Sequence, residues 1–366
     1  MTNEGPAPSR KRRRATTGNT EWDRRIDDLL DEIAPHQNRD LLRQVFLEGV
    51  RLATIDTERL DLKIASAALR EMRQAFAAFA PVRGRRKLTV FGSARTQESD
   101  PLYVQARELA RIAAERGWMA VTGAGPGIML AAMEGAGREN SFGVRIRLPF
   151  EADANEIISG DTKLVSMKYF FTRKLMLMKE SSAFVAMPGG FGTLDETVEL
   201  ITLQQTGKSV PVPVVLLDVP GGDYWQAWQR FVVDHVAARG YVNQADLGLV
   251  HLCDDHNEAL AYIDWYYANY RSLRWFGDRL VIRLNRAPDE SELAALNSRF
   301  ASMTTDGKGL VVTGPHPSET AGGDELDAER VELVLDPYRI AELHLLIGAL
   351  NELVAGPVQS SESSEI

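Results

Sequence analysis

The segment from Pro188 to Glu196 reads PGGFGTLDE and combines residues that bind anions with residues that repel them. Its three glycines leave backbone N–H groups accessible, and a helix that begins behind them adds its positive end, which is typical of a phosphate-binding loop. A carboxylate beside a phosphate is repelled, so we expect Glu196 to face another part of the ligand. In a nucleoside 5′-phosphate that part is the ribose, where a carboxylate stabilises the positive charge of glycosidic cleavage or orients water.

The same residues also fit a purely structural interpretation. Thr193 is a good N-cap residue, and Glu196 follows it at the spacing of a capping box, in which the two side chains satisfy backbone N–H groups. A capping box does not require the glycines before it, whereas a phosphate held at a helix N-terminus does.

Two further glycine turns follow apolar runs. The turn in Val90–Thr96 offers the hydroxyl and N–H of Ser93, and the turn in Val121–Met129 contains Gly125 and Gly127. The second turn lacks the third glycine of a dinucleotide fingerprint and the Gly-Lys-Ser/Thr of a Walker A loop, so neither a dinucleotide-binding dehydrogenase nor a Walker A loop is indicated. A tight turn without a ligand remains the alternative.

A basic pair, Arg173 and Lys174, lies within the apolar segment Met167–Ser182. If this segment is helical, a cation among Phe, Leu and Met side chains needs an anionic partner. The alternative is a surface pair whose apolar stems lie along the protein while the charges reach solvent.

Histidine, cysteine and aspartate crowd together between His251 and His256. Their spacing matches no zinc pattern, and Asp254 or Asp255 is a suitable N-cap for the helix that follows. We therefore expect no metal site here.

Short apolar strands alternate with helices through the middle of the chain, which predicts a parallel α/β sheet covered on both faces. The carboxyl ends of its strands should converge on one edge, where such sheets bind ligands. The predicted strands are Lys87–Phe91, Trp118–Thr122, Gly143–Arg147, Lys163–Ser166, Ala183–Ala186 and Val212–Leu217. The main predicted helices are Leu102–Arg116 and Ile128 to about Asn140.

The flanks differ from this core. We expect a helical segment before it, marked by apolar faces that include Ile26 and Leu41, and a small βαββα domain after it. The expected divisions are a disordered basic tail over 1–20, the helical segment over 21–84, the core over 85–271, the small domain over 272–356 and a disordered tail over 357–366.

The chain has 366 residues, a formal net charge of -9 and one cysteine, Cys253. The net charge argues against general nucleic-acid binding, and the basic run Arg10–Arg14 fits a solvated tail. No apolar run approaches the length of a membrane span, and no apolar core follows the basic run as in a secretory signal. We expect a cytoplasmic protein that acts on a small molecule.

Three motifs in order, TGAGPGIM, FFTRK and PGGFGTLDE, resemble the LONELY GUY (LOG) family of nucleotide phosphoribohydrolases, often mislabelled as lysine decarboxylases. The resemblance covers about residues 87 to 270, and every fixed position of the family pattern P-G-G-x-G-T-x-x-E is matched. It implies a Rossmann-like fold, a homodimer or larger homo-oligomer, and hydrolysis of a nucleoside 5′-monophosphate to free base and ribose 5-phosphate. No cofactor is implied.

The resemblance also assigns roles to residues of this chain. The family's catalytic arginine and glutamate fall on Arg173 and Glu196. Its substrate and phosphate contacts fall on Ser93, Gly125, Gly127, Lys174, Gly189, Gly190, Gly192 and Thr193, and Glu156 is expected near the base.

The sequence leaves the substrate open between AMP and cytokinin nucleotides such as isopentenyladenosine monophosphate. The flanking segments, which short family members lack, put the cytokinin substrate in more doubt than the reaction. A second hypothesis is a nucleotide-binding sensor without turnover, in which the flanking segments report that the core is occupied.

Overall fold

The structure is a computed structural model that describes residues 16–33, 38–148 and 154–357. The basic run Arg10–Arg14 and the last nine residues lie outside this part of the chain, so the expected disordered tails fall largely outside the described residues. The chain divides into two compact units, Met1–Arg70 and Glu71–Ile366.

The first unit is helical, as its apolar spacing predicts. It contains α1 (Thr20–Glu32), α2 (Arg39–Thr54) and the start of α3 (Arg59–Phe79), which continues into the second unit. Ile26, Leu30 and Leu47 form its small core. Only part of each predicted apolar face is buried, because residues such as Leu29 and Leu41 are exposed.

The second unit is built on a seven-stranded parallel sheet in the order β4-β3-β2-β1-β5-β6-β7. Its strands are β1 (Lys87–Phe91), β2 (Met119–Thr122), β3 (Ser141–Ile146), β4 (Leu164–Met167), β5 (Ala183–Ala186), β6 (Val214–Leu217) and β7 (His251–Cys253). The strand order reverses between β1 and β5, which is the position where open parallel sheets bind ligands. The α/β fold predicted from the sequence is therefore confirmed, whereas the edge strand β7 was missed.

Helices cover both faces of this sheet because its central strands are buried on both sides. They are α4 (Pro101–Glu115), α5 (Ile128–Ala136), α6 (Phe170–Lys179), α7 (Phe191–Gln205), α8 (Tyr224–Phe231) and α9 (His256–Tyr266). One core packs beneath α4, α5 and α9, and the other beneath the end of α3, α6, α7 and α8. Helix α5 ends at Ala136, earlier than predicted, and a 3₁₀ turn over Arg138–Asn140 follows it.

A second, antiparallel sheet follows in the order β10-β11-β9-β8. Its elements are β8 (Tyr270–Phe276), β9 (Arg279–Leu284), α10 (Glu290–Arg299), β10 (Val311–Val312), α11 (Pro317–Gly322), β11 (Glu329–Leu333) and α12 (Glu342–Ala355). The prediction of a βαββα arrangement was incomplete, because it missed β8 and the short helix α11. Strand β8 is mostly half-buried or exposed, so its sequence carries no continuous apolar run.

Within the described residues, no helix combines the length and the apolar character needed to cross a membrane.

Candidate functional site

The three glycine turns meet at the carboxyl ends of β2, β1 and β5, as the sequence predicts. The backbone N–H of Ser93 donates to the carbonyl oxygen of Pro188 at 3.2 Å, and that of Ile128 donates to the carbonyl oxygen of Ser93 at 3.0 Å. These bonds join the turns into one surface. They also occupy two N–H groups that would otherwise be available to a ligand.

Close packing explains two of the glycines. Gly127 has φ +65, and a Cβ there would lie 2.7 Å from the carbonyl carbon of Ala94. A Cβ at Gly189 would lie 2.7 Å from the Cβ of Thr193. Neither position accepts a side chain without movement of its neighbours. Gly127 and Gly189 therefore bring the turns together.

Helix α7 begins at this junction without a side-chain cap. Its N-cap is Gly190, and the first residues, Phe191 and Gly192, are exposed. The first N–H groups of a helix have no partner within the helix and carry its positive dipole end. The N-terminus of α7 thus presents open N–H donors to solvent.

The capping-box interpretation is wrong. Thr193 lies inside the first turn of α7 and is buried, so it is not the N-cap. The glycines allow the helix to begin at Phe191, ahead of the first residue whose side chain favours a cap. Glu196 instead accepts a hydrogen bond from Arg173, so a side chain of α6 holds the carboxylate of α7.

Arg173 and Glu196 form a buried ion pair. Nη1 of Arg173 lies 2.9 Å from Oε1 of Glu196, and the two side chains are 11% and 10% exposed. Nε of Arg173 donates to the carbonyl oxygen of Val144 at 3.0 Å, which fixes the guanidinium against β3. A Cβ at Gly123 would collide with this guanidinium, so Gly123 makes room for it. The sequence predicted that Arg173 and Glu196 share one site, but it predicted neither the hydrogen bond to Val144 nor the space left by Gly123.

Burial raises the pKa of Glu196 above the 4.5 of an ordinary glutamate. The positive charges of Arg173 and Lys174 oppose this rise, whereas the negative charges of Asp195 and Glu199 add to it. A desolvated carboxylate whose pKa is moved towards neutrality is a frequent feature of catalytic sites.

Lys174 points to a different set of partners. Its ammonium lies 2.9 Å from Oδ2 of Asp195 and 2.6 Å from Oε2 of Glu199. Two carboxylates already neutralise this cation, which leaves it less available to a phosphate than its place beside Arg173 suggests.

Glu156 is exposed, while its neighbour Asn155 contacts the glycine turn. Nδ2 of Asn155 donates to the carbonyl oxygen of Gly125 at 3.1 Å. The hydroxyl of Tyr224 donates to the carbonyl oxygen of Gly189 at 2.7 Å. Sequence reasoning missed both Asn155 and Tyr224, because they lie 30 and 35 residues from the turns that they hold.

The cluster around His251 is explained by packing. Asp255 caps α9 by accepting from the N–H groups of Asn257 and Glu258, as one of the two alternatives predicted. Burial raises the pKa of the Cys253 thiol. Over residues 16–33, 38–148 and 154–357, no three potential ligands are grouped so that they could hold a metal ion.

The fold and site are those of an α/β protein with a glycine-rich turn at an uncapped helix N-terminus beside a buried arginine–glutamate ion pair. Residues 121–263 match the family model described as "possible lysine decarboxylase". The matched range contains Arg173 and Glu196. This match and the relatives below confirm the resemblance to the LOG family.

Two curated relatives carry the same functional name. A probable cytokinin riboside 5′-monophosphate phosphoribohydrolase of Oryza sativa subsp. japonica is 29% identical over 36% of this chain and 57% of the relative. The cytokinin riboside 5′-monophosphate phosphoribohydrolase of Mycobacterium marinum is 28% identical over 48% of this chain and 92% of the relative. The chain spans about half the length of three similar relatives from Oryza sativa subsp. japonica and Arabidopsis thaliana, covering from 37% to 57% of each.

Among solved structures, the molybdenum cofactor carrier protein of Chlamydomonas reinhardtii is 23% identical over 49% of this chain and 96% of that protein, with a TM-score of 0.33.

Proposed function

We propose that the protein hydrolyses the N-glycosidic bond of nucleoside 5′-monophosphates to free base and ribose 5-phosphate. The observation that carries the proposal is the buried Arg173–Glu196 pair behind the uncapped N-terminus of α7. The names of the curated relatives support the same reaction.

The N-terminus of α7 is the proposed phosphate site. Its first N–H groups and the helix dipole attract an anion, and the exposed residues Gly190 and Gly192 allow close approach. The hydrogen bond from Tyr224 to Gly189 keeps the turn in place. In this proposal Ser93, Gly125 and Gly127 shape the wall of the site.

The ribose then lies between the phosphate and Glu196. Glu196 is six residues after Gly190, which corresponds to roughly 9 Å along the helix axis. That spacing leaves room for a sugar ring. As the glycosidic bond breaks, positive charge develops on the ring, and the carboxylate of Glu196 stabilises this charge or orients the attacking water. Arg173 holds the carboxylate in position.

AMP and prenylated adenine nucleotides are the proposed substrates, with the base at the Asn155–Glu156 side of the site. The curated relatives are named for cytokinin nucleotides. Glu156 is exposed and Asn155 contacts the glycine turn, so this segment borders the site.

We also propose that two or more copies assemble through the surface formed by α6 and α7. This surface exposes Phe170, Phe171, Leu175, Phe191 and Val198. It borders an open groove of about 790 Å³ along α7. Such a cluster of apolar side chains marks an interaction surface. Light scattering after size exclusion would measure the assembly, and fractionation would test the cytoplasmic location that we propose.

Release of free base decides the function. The protein is incubated with AMP, GMP, CMP and isopentenyladenosine monophosphate, and free base is measured by chromatography. Adenosine is the matched control, because it lacks the phosphate that α7 would bind. We expect product from at least one monophosphate, little from adenosine, and a large loss in Glu196→Gln. Product that persists unchanged in Glu196→Gln would remove that residue from the mechanism, and tight binding without product would favour the sensor.

A further inference from the structure

A buried carboxylate on α3 holds the segment that carries Arg173. Glu71 is 2% exposed. Its Oε1 accepts from the backbone N–H of Lys168 at 2.9 Å, and its Oε2 accepts from the hydroxyl of Thr172 at 2.7 Å. Buried carboxylates are retained only where their oxygens are satisfied, so both bonds are part of what keeps Glu71 inside.

These two bonds lie on either side of the start of α6. Tyr169 is the N-cap of α6 and makes no side-chain cap bond. Lys168 precedes the cap and Thr172 is the third residue of the helix, so Glu71 fastens the chain to α3 on both sides of the helix start. The negative carboxylate also lies at the positive end of the α6 dipole.

The first turn of α6 has few buried side chains, although the Thr172 hydroxyl also lies 2.9 Å from the carbonyl oxygen of Tyr169. Phe170 and Phe171 are exposed, and Thr172 is the one buried side chain among the first three residues of the helix. Arg173 is the next residue, and its backbone N–H makes the first bond of the helix, to the carbonyl oxygen of Tyr169. A shift of this turn would therefore move the guanidinium that pairs with Glu196.

We propose that Glu71 is a positioning residue, which fixes the first turn of α6 and thereby holds the guanidinium of Arg173 against Glu196. Glu71 touches neither Arg173 nor Glu196 directly and acts through Lys168 and Thr172. This gives α3, which precedes the sheet, a role in the site. The proposal rests on the proposed function only where turnover is measured.

The charge on Glu196 provides a readout that a purely structural role would not move. Four charged groups act on its carboxyl: Arg173 and Lys174 lower its pKa, and Asp195 and Glu199 raise it. Of these, Arg173 has the largest influence after burial itself. If the guanidinium moves away, the pKa of Glu196 rises further.

The test uses the full-length protein with ¹³C-labelled glutamate carboxyl groups, and the Glu196 signal is assigned by its loss in Glu196→Gln. Glu71→Gln removes the charge at nearly constant shape, and Thr172→Val removes the hydroxyl. Thr172→Ser keeps it. Glu319→Gln is the matched control, because Glu319 is another buried carboxylate, bonded to Arg283 in the antiparallel sheet.

We expect the Glu196 titration to move to higher pH in Glu71→Gln and Thr172→Val, and to stay in place in Thr172→Ser and Glu319→Gln. Where the protein turns over a 5′-monophosphate, kcat should fall on the order of 10²-fold in the first two variants, as for other small misplacements of catalytic groups. KM should change little, because the phosphate site lies on α7.

An unchanged Glu196 titration in both Glu71→Gln and Thr172→Val would overturn the inference, and so would an equal shift in the Glu319→Gln control. A shifted titration in a protein that releases no base would leave this inference standing and remove the proposed function instead.

Discussion

Removing the guanidinium of Arg173 should destabilise the protein in a manner that depends on pH. Arg173→Met keeps the apolar stem and leaves two groups without their partner: the carboxylate of Glu196 and the carbonyl oxygen of Val144. Breaking one side of a buried ion pair costs about 3–5 kcal/mol of unfolding free energy. An unsatisfied buried carbonyl adds about 1–3 kcal/mol.

The cost of breaking the ion pair depends on pH, because Glu196 loses its negative charge when it binds a proton and then no longer needs a cationic partner. Its pKa in the folded protein already lies above 4.5 and rises further without Arg173. A group with a raised folded-state pKa adds stability below its unfolded pKa, and this stability is lost as the pH rises through the folded value. Holding such a carboxyl protonated at pH 8 costs at most about 5 kcal/mol, or about 1.4 kcal/mol for each pH unit above its ordinary value.

Urea unfolding at pH 5 and pH 8 measures this difference. We expect Arg173→Met to lose up to about 4 kcal/mol more at pH 8 than at pH 5, because the interval spans three pH units at about 1.4 kcal/mol each. In the Arg173→Met, Glu196→Gln double variant this difference should vanish, because glutamine does not titrate. Lys174→Met is the neighbouring control: its partners Asp195 and Glu199 are 57% and 38% exposed. It should lose at most about 1 kcal/mol at both pH values.

Equal losses at pH 5 and pH 8 in Arg173→Met would refute the argument. Additive effects in the double variant would do the same, because two groups that share one buried contact must show a coupling energy.

Three further results are expected. The acid limb of kcat/KM should lie above pH 4.5, because the pKa of Glu196 is raised and the carboxylate is the active form; a limb at or below 4.5 would contradict this. Gly189→Ala should raise KM for 5′-monophosphates and lower the unfolding midpoint, because its Cβ meets Thr193, whereas at Gly190 a Cβ meets nothing within 4 Å; equal KM values in the two variants would argue against the phosphate site. Tyr224→Phe should raise KM roughly tenfold with kcat unchanged, since one hydrogen bond to Gly189 is lost; a fall in kcat alone would assign Tyr224 a different role.

The sequence was informative wherever a short stretch of chain carries its own signal. Strands β1 and β5 begin and end at the predicted residues, because a strand buried on both faces admits few polar residues. Convergence of the glycine turns followed from the geometry of parallel sheets, in which consecutive strands present their carboxyl ends to one edge. The pairing of Arg173 with Glu196 followed from the family resemblance rather than from any local pattern.

Local signals were misleading where they competed with packing. Thr193 has the side chain of an N-cap, but the glycines before it let α7 start earlier, and Thr193 packs against Gly189 instead. Strand β8 was missed because a partly exposed strand with charged residues lacks an apolar run.

By itself the sequence determined the succession of strands β1 to β6 along the chain, the glycine turns and the chemistry available at the sheet edge. Only the tertiary structure decided which groups hold that chemistry in place. Glu71 reaches Thr172 across 101 residues, Tyr224 reaches Gly189 across 35, and Arg173 reaches Val144 across 29. The reason is physical: propensity and periodicity act over one or two turns of chain, whereas burial desolvates a polar group and makes it bond to whichever partner the fold brings within reach.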